Sequence, residues 1–342
     1  MKDLKAQNVE ITEPVDLCLK NGKLNPLALG WSRKPIIHCN LKGHFFRKKK
    51  WNYWAIFNQE CLFSATVSNL DYIGVVFCYF LDLKSMEFFE KTVSVPFGIG
   101  CHLPDSVDGD VSFSSKKMQV NFKRHSTQTM IEAQLTVSKD NDFKARIEVF
   151  HDDYESLSVV VPWSWNRYQY TNKQFCLPAR GEITFRGKNY MFDLKDTFAV
   201  LDFGRGIWRY SSFWNWASFA VHMPDQTTVG VNLGAGWTDG TGTNENAILL
   251  NGKITKLLSD VIFKYDKNDL MKPWHIYTKD SDEVDLEFQP IFHRVAKTDL
   301  LILSSKVNQM IGLFKGFVRD ENRKTYIIRD ALGWAEEHYA RW

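Results

Sequence analysis

The feature that most limits the possible folds of this chain is a long succession of short apolar runs, each bounded by a turn signal. Examples are residues 61–67, 73–81, 143–149, 213–221, 247–250 and 312–318. Each run has the length and residue types of a β-strand, and helical periodicity is scarce. Only residues 331–340 favour a short helix. Many short strands with frequent turns predict an all-β protein of the sandwich or barrel type.

The stretch of residues 162–178 interrupts this pattern because it is rich in Trp, Tyr, Asn and Gln. We interpret it as a long non-periodic crossover between two β units. A chain of 342 residues is long enough for one large or two medium domains. The sequence therefore predicts domains at 1–180 and 181–342, with the boundary near Gly181.

Composition excludes several classes of protein. Hydrophobic residues make up 44% and charged residues 24%, and the net charge of +3 gives no general affinity for polyanions. The basic run at residues 47–50 is more typical of a solvated strand end or loop than of a nucleic-acid patch. The six cysteines form no C-x-x-C pair, and no apolar run approaches the roughly 20 residues of a membrane helix. We expect a reduced, cytoplasmic protein with no integral membrane segment and no nucleic-acid partner.

Residues 202–246 hold the candidate functional site, because aromatic, charged and amide side chains alternate there with glycines. A hydrophobic core does not need that mixture, whereas a pocket that stacks on a ligand does. We predict that one cavity on the second domain collects these residues around a small molecule. The predicted ligand-binding residues are Arg205, Trp208, Tyr210, Trp214, Trp216, Asn232, Trp237 and Asn246.

Three carboxylates in this stretch are candidates for acid–base chemistry. Glu245 enters an apolar strand, where desolvation raises a carboxyl pKa, although a hydrogen-bonded strand-end Glu fits the same pattern. Asp239 precedes Gly240, so a turn Asp that bonds its own backbone is the alternative. Asp202 pairs with Arg205 either at a ligand or in a purely structural ion pair.

Several segments resemble the family called domain of unknown function 2804, across essentially the whole chain. They are residues 30–35, 49–54, 71–72, 153–163, 170–173, 202–216, 244–246 and 333–342. That family is distantly similar to the carotenoid 1,2-hydratase and AttH-like proteins, which carry two lipocalin-like barrels in tandem. The resemblance implies two lipocalin-like antiparallel β-barrel domains with few short helices.

The hydratases of that group carry a Trp-Asp-His-Glu-Trp-like segment and, some thirty residues later, a catalytic Asp in a Tyr-x-Asp pair. Here the first position holds Trp208-Arg209-Tyr210, without the Asp and His. The second is similar to Trp237-Thr238-Asp239, which keeps an aromatic residue two positions before the Asp. We interpret the C-terminal Glu336, Glu337, His338 and Arg341 as residues that fix the end of the chain.

Two functions fit these observations. The first is a cofactor-independent acid–base enzyme of the hydratase, isomerase, lyase or glycoside-cleaving type, acting on a small hydrophobic or glycosidic molecule. The alternative is a non-catalytic carrier of a lipid or terpenoid. Carboxylates inside the pocket favour an enzyme, and carboxylates only at its rim favour a carrier. The histidines lack metal-ligand spacing and no phosphate-binding loop is present, so we expect neither a metal nor a cofactor. The oligomeric state stays open.

Overall fold

The structure, a computed structural model, describes residues 8–138, 141–300 and 303–342. Within these ranges the chain forms strands, one 3₁₀ turn at Pro26–Ala28 and no α-helix. The strands are β1 (Val15–Asp16), β2 (Trp31–Ser32), β3 (Ile37–His38), β4 (Lys48–Phe57), β5 (Cys61–Asn69), β6 (Ile73–Asp82), β7 (Glu87–Pro96), β8 (Cys101–His102), β9 (Val111–Ser114), β10 (Met118–Arg124), β11 (Gln128–Ser138), β12 (Asn141–Phe150), β13 (Leu157–Ser164), β14 (Arg167–Phe185), β15 (Lys188–Phe192), β16 (Phe198–Ile207), β17 (Ser211–His222), β18 (Thr228–Ala235), β19 (Ala247–Leu250), β20 (Lys253–Lys256), β21 (Val261–Lys264), β22 (Trp274–Thr278), β23 (Val284–Leu300), β24 (Leu303–Arg319) and β25 (Thr325–Arg341). The predicted all-β class is confirmed.

Two large antiparallel sheets divide the chain. The first has 14 strands in the order β7-β6-β5-β4-β16-β14-β12-β11-β10-β9-β8, with β13 and β15 paired to β14 and β2 paired to β13. The second has nine strands in the order β20-β19-β18-β17-β25-β24-β23-β22-β21. The short strands β1 and β3 form a separate parallel pair. Each large sheet is mostly a meander of hairpins, which is the connection that antiparallel strands allow.

Three apolar clusters hold the molecule together. One fills the inside of the first sheet, around Trp54, and another fills the inside of the second, around Trp274. The third joins the two sheets and includes Tyr53, Phe57 and Trp334. Neighbouring residues of a strand point to opposite faces, so β4 supplies Trp54 to the first cluster and Tyr53 to the third. Because both of its faces are covered, β4 is buried without interruption from residue 52 to residue 58 as the chain leaves the strand.

The structure differs from the predicted organisation in three places. The first sheet continues past residue 180 as far as Ile207, because β16 inserts between β14 and β4 and completes that sheet. The predicted crossover at 162–178 is instead the tip and second arm of the β13–β14 hairpin. The predicted helix at 331–340 lies within β25, which runs between β17 and β24 and is buried on both faces from residue 331 to residue 337. A strand covered on both faces loses the alternating pattern that identifies strands in a sequence.

The cysteines are free thiols, and all except the half-buried Cys101 are buried. Among the described residues, no helix is long and apolar enough to cross a membrane.

Candidate functional site

A cavity of about 240 Å³ lies between the two sheets, in the region of the third apolar cluster. Both halves of the chain line it. The first half and β16 contribute Trp51, Tyr53, Thr66, Ser68, Leu70, Val75, Phe77, Glu90, Thr92, Thr171, Lys173 and Asp202. The second half contributes Trp208, Trp214, Trp216, Trp237, Glu245, Arg294, Ala296, Thr298, Leu303, Ser305, Val307, Gln309, Glu336, His338 and Trp342. The cavity that we predicted on the second domain is therefore lined by strands of both sheets.

The wall formed by the first sheet is one row of side chains across six neighbouring strands. Directly opposite residues of antiparallel strands share a face, so their side chains stand side by side. The pairs connect β14 to β16, β4, β5, β6 and β7 in turn. The row consists of Lys173, Asp202, Tyr53, Thr66, Phe77 and Thr92.

A second row forms the opposite wall, on the second sheet. Trp216 of β17 stands opposite Glu336 of β25, which stands opposite Gln309 of β24. Arg294 of β23 continues the row opposite Gln309. It also crosses to the first sheet, where its Nε and Nη2 donate to the two oxygens of Glu90 at 3.0 and 2.8 Å. This forked ion pair joins the two walls along one side of the cavity.

A buried cluster of three charges occupies the other side. Nζ of Lys173 lies 2.9 Å from Asp202 Oδ1 and 3.2 Å from Glu245 Oε2. Burial alone would lower the pKa of Lys173, but the two carboxylates raise it above its usual value. Burial raises the pKa of Glu245, and the nearby charge of Asp202 adds to this while Lys173 opposes it. The ammonium group therefore stabilises two carboxylates that could not otherwise stay charged together in a dry site.

Asp202 is anchored by further donors from the first sheet. Trp51 Nε1 donates to its Oδ2 at 3.1 Å, and the hydroxyl of Thr171 donates to its Oδ1 at 3.2 Å. A Cβ at Gly204 would lie 2.1 Å from a ring atom of Trp51. Glycine at this position is thus required for the indole that holds Asp202.

Glu245 is held by hydrogen bonds from Trp237 and Asn232. Trp237 Nε1 donates to Glu245 Oε1 at 2.7 Å, and Asn232 Nδ2 donates to the Glu245 backbone carbonyl at 2.7 Å. A Cβ at Gly234 would lie 2.1 Å from Glu245 Oε1, so only glycine leaves room for the carboxylate. Within the described chain, Glu245 Oε2 receives no hydrogen bond apart from its ion-pair contact with Lys173.

Glu336 differs from Asp202 and Glu245 because it makes no ion pair with Lys173. Its oxygens accept from Trp214 Nε1 and Gln309 Nε2, each at 3.3 Å. Burial raises the pKa of Glu336 to about 7, and the hydrogen bond from Trp214 and the charges of Arg294 and Lys173 only partly offset this rise. An indole N–H and an amide N–H cannot accept a proton, so the acidic hydrogen of Glu336 is not taken up by either partner.

Six tryptophans supply most of the apolar lining: Trp51, Trp208, Trp214, Trp216, Trp237 and Trp342. Trp208 is central, with ring centroids 5.7 Å from Trp51, 5.5 Å from Trp237 and 5.4 Å from Trp342. Lys173 Nζ lies 4.4 Å from the ring centroid of Trp216. Besides Glu245 Oε2, two buried polar atoms of the lining have no hydrogen-bond partner among the described residues: Thr66 Oγ1 and Trp342 Nε1. Buried polar atoms without partners are rare and mark places where a ligand can bind.

His338 completes the wall beside Trp214, with ring centroids 3.9 Å apart. Burial lowers the pKa of His338 to about 3, and the charge of Arg294 acts in the same direction. Its Nε2 lies 2.8 Å from the hydroxyl of Ser305. The ring is therefore neutral at pH 7 and is a hydrogen-bond partner rather than a charge.

The structure brings together six of the predicted site residues: Asp202, Trp208, Trp214, Trp216, Trp237 and Glu245. Trp214 and Trp216 share one face of β17, as the period of two predicts. Five predicted residues lie off the cavity: Arg205, Tyr210, Asn232, Asp239 and Asn246.

Three of these five do not fit a ligand-binding role. Arg205 is wholly buried on the opposite face from Asp202, where its guanidinium donates to the carbonyls of Trp51 and Pro104 and to Asn52 Oδ1. It does not pair with Asp202, because the two residues are three positions apart on β16 and their side chains point to opposite faces of the sheet. Tyr210 is exposed. Asp239 is an exposed turn residue whose Oδ1 accepts from the backbone N–H of Gly236.

The two asparagines position the site from behind. Asn232 Oδ1 accepts from Trp216 Nε1 at 2.8 Å, in addition to its bond to the backbone of Glu245. Asn246 Oδ1 accepts from the backbone N–H of Gly234 at 2.7 Å. Their amides are consumed by these contacts, so they support the cavity wall and do not face a ligand.

The polar wall residues that sequence reasoning missed include Lys173, Arg294, Gln309, Glu336 and His338. Lys173 is the last residue of the segment 170–173, one of those that resemble the family, and this resemblance was the sequence signal that could have identified it. Glu336 and His338 are two positions apart, so they share a face of the sheet if residues 331–340 form a strand, as they do in β25. We found no sequence signal for Arg294 or Gln309.

The family described as domain of unknown function (DUF2804) matches residues 8–342. The chain belongs to this family. No curated protein matches it. The family assignment predicted from the sequence is thus confirmed.

Solved structures share the fold. CghA, in its structure with Sch210972, superposes with a TM-score of 0.52 at 9% identity, over 99% of this chain and 97% of CghA. An AttH protein of Nitrosomonas europaea gives 0.50 at 11% identity, over 85% of this chain and 92% of that one. Kievitone hydratase of Nectria haematococca gives 0.45 at 9% identity, over 85% and 88%. The matches to CghA and the AttH protein show that the chain has the tandem lipocalin-like fold that the resemblance implied.

The described residues contain no group of three His, Cys, Asp or Glu side chains placed to hold a metal ion.

Proposed function

We propose that this protein is a cofactor-independent hydratase-type enzyme that adds water to, or removes it from, a small and largely hydrophobic molecule. The observation that carries the proposal is Glu336, a buried carboxyl with a pKa near neutrality on the wall of an apolar cavity. A general acid works best when its pKa lies near the working pH.

Glu336 acts as the proton donor in this proposal. Its proton adds to one carbon of a double bond, whose π electrons form the new C–H bond and leave a positive charge on the other carbon. The rings of Trp214 and Trp216 lie beside Glu336 on the neighbouring strand, and an indole face turned towards that charge would stabilise it. A charge that develops in a dry cavity is strongly stabilised by such fixed groups.

Glu245 acts as the base. A water oxygen bonds to the cationic carbon, and the proton released from that water goes to Glu245 Oε2. Lys173 keeps this carboxylate charged, while Trp237 fixes its other oxygen. Exchange of protons with solvent then restores a protonated Glu336 and a charged Glu245. The reverse sequence removes water.

Two further features fit the proposed reaction. Thr66 Oγ1 and Trp342 Nε1 are unpaired donors, among the described residues, that suit an oxygen atom of the substrate. The family resemblance to hydratases favours water addition over the other acid–base reactions, with Glu336 and Glu245 in place of the Asp and His that this chain lacks. The carboxylates lie inside the cavity and not only at its rim, which favours an enzyme over a lipid carrier.

A product survey with Glu336→Gln tests the proposal. We expect the wild-type protein, incubated with a cell metabolite extract in ¹⁸O-labelled water, to produce compounds that have gained one labelled oxygen. Because the amide cannot donate an acidic proton, turnover of the variant falls by about 100-fold or more. Substrate still binds, since the shape of the cavity is kept, and native mass spectrometry detects it on the variant.

Asp239→Asn is the matched control, because it removes an exposed carboxylate off the cavity. We expect its turnover to stay within about twofold of wild type, as for other exposed sites away from a pocket. Full activity of Glu336→Gln would refute the role of this residue as the acid. A wild-type protein that binds a compound and releases it unchanged, with no label incorporated, would favour the carrier.

A further inference from the structure

Five large apolar side chains are exposed at one end of the first sheet: Phe45, Phe46, Phe97, Ile99 and Trp165. Their exposed fractions run from 42% to 79%. They lie in three separate loops, at residues 42–48, 97–100 and 164–167. Single exposed apolar residues are ordinary, but a group of large ones gathered at one place is typical of an interaction surface.

Hydrogen bonds show that the first and third of these loops are neighbours. Both contact the loop at residues 19–24: Gly22 O lies 3.2 Å from His44 Nε2, and Leu24 N–H donates to Trp165 O at 2.8 Å. The loop at 19–24 thus lies between Phe45 and Trp165 and belongs to the same surface.

The turn between β5 and β6 connects the remaining loop. Asp71 of this turn accepts from the backbone N–H of Arg47 at 3.1 Å. Tyr72 O accepts from the backbone N–H of Phe97 at 3.0 Å. We call the surface made by residues 19–24, 42–48, 97–100 and 164–167 the apolar–basic face.

The charge of this face is positive. Its four segments contain no Asp or Glu and carry Lys20, Lys23, Lys42, Arg47, Lys48 and Arg167. Burial, and after it the like charge of Arg47, lowers the pKa of Arg167. Asp71 lies 3.8 Å from Lys48 and compensates only part of the charge. Such a concentration of cations is unexpected in a protein whose net charge is only +3.

The loop that carries Phe45 and Phe46 has an unusual backbone. His44 and Phe46 have φ values of 48° and 64°, in the left-handed region that bulky residues rarely adopt. Strain of this kind is kept where the surrounding structure and function require it. Here it accompanies the outward position of two phenylalanine rings.

The cavity reaches the same end of the molecule. Leu70 belongs to the β5–β6 turn and lines the cavity, and Trp51 lies three residues after Lys48 on β4. Lys49, the residue after Lys48, donates from its Nζ to Leu70 O at 2.9 Å. The same Nζ lies 5.9 Å from the ring centroid of Trp342. The loops of the apolar–basic face are thus continuous with the lining of the cavity.

We propose that the apolar–basic face docks on an anionic lipid bilayer. The aromatic and aliphatic side chains enter the interface between headgroups and acyl chains, where such residues are favoured. The surrounding Lys and Arg side chains contact the negative headgroups. Docking in this orientation turns one end of the cavity towards the bilayer, so that a hydrophobic molecule dissolved in the membrane can enter. This inference concerns binding and does not depend on the reaction proposed above.

Co-sedimentation with lipid vesicles tests the docking. We expect the wild-type protein to bind vesicles of phosphatidylcholine mixed with phosphatidylserine, and to bind phosphatidylcholine alone much more weakly. Phe45→Ser/Phe46→Ser removes the inserted rings and should weaken binding by about tenfold or more. Lys20→Glu/Lys23→Glu should weaken it comparably, and added salt should reduce the difference between the two kinds of vesicle.

Met191→Ser is the matched control. Met191 is 60% exposed and lies at the opposite end of β4, where its carbonyl accepts from Asn58 Nδ2. We expect this variant to bind vesicles as the wild type does. Circular dichroism establishes that all variants are folded.

Three results would overturn the proposal. The first is a wild-type protein that does not bind the anionic vesicles. The second is binding that Phe45→Ser/Phe46→Ser leaves unchanged. The third is a wild-type dimer that this double variant converts to a monomer without any vesicle binding, which would identify a second copy of the chain as the occupant.

Discussion

Replacing Lys173 with methionine is expected to lower the free energy of unfolding at pH 7 by about 3–5 kcal/mol. The lysine is buried between Asp202 and Glu245, and its removal leaves two carboxylates in a dry site without a cation. Protonation of the carboxylates relieves this repulsion. The deficit should therefore shrink as the pH is lowered. Urea denaturation of both proteins at several pH values measures the effect.

The control is Lys123→Met, which removes an ammonium group that lies on the surface 2.9 Å from Glu132. Exposed ion pairs contribute about 0–1 kcal/mol, so a small and pH-insensitive change is expected there. A Lys173→Met protein that is as stable as the wild type would contradict the assignment of the buried cluster as three charged groups.

The second large effect concerns the pH dependence that Glu336 confers. Its folded-state pKa of about 7 lies above its ordinary value of 4.5, so the folded protein binds this proton more tightly than the unfolded chain does. The stability from this group is complete below pH 4.5 and is lost as the pH rises through 7. The loss amounts to about 3 kcal/mol. Glu336→Gln removes it, because the amide does not ionise.

We therefore expect the stability of Glu336→Gln, relative to the wild type, to increase by about 3 kcal/mol between pH 4.5 and pH 8. Chemical denaturation curves at matched pH values measure this difference. The Asp239→Asn variant serves as the control for a general change in charge. Parallel stability curves for the wild type and Glu336→Gln would show that Glu336 ionises alike in the folded and unfolded states.

The fold was largely predictable from the sequence because alternation and turn residues are local signals. The clearest example is β17, where Trp214 and Trp216 alternate with Asn215, as a strand requires. Strand β25 was not recognised. Both of its faces are covered over residues 331–337, so its sequence lacks the alternation of apolar and polar residues that identifies a half-exposed strand. The extent of the first sheet was not predictable for a related reason: β16 pairs with β4, far away in sequence, which no local pattern reveals.

The candidate site was only half predictable. Residues 202–246 stand out by composition, and this identified Asp202, Glu245 and four of the tryptophans. The rest of the cavity depends on strand register. Lys173 stands beside Asp202 because β14 pairs with β16, and Glu336 stands beside Trp216 because β25 pairs with β17. Register between distant strands is set by the whole sheet, and a one-residue shift would turn Glu336 away from the cavity.

Composition also misled in two places. Arg205 and Asp239 lie within residues 202–246, but neither faces the cavity. Arg205 donates to the backbone carbonyls of Pro104 and Trp51, and Asp239 accepts a hydrogen bond within its own turn. For Asp239 the Asp-Gly pair already offered the turn as the alternative, whereas nothing in the sequence indicated the buried position of Arg205. A polar residue in an unusual segment is therefore a candidate only until its hydrogen-bond partners are known.

The most direct test of this account is the titration of the Glu336 carboxyl in the native protein. ¹³C NMR of protein labelled at the glutamate side-chain carbonyl follows each carboxyl with pH, and the resonance lost in Glu336→Gln identifies the one of interest. We predict a midpoint near pH 7, which keeps an acidic proton inside the cavity at neutral pH. A midpoint near the ordinary value of 4.5 would contradict the account, because the group could not then serve as the acid.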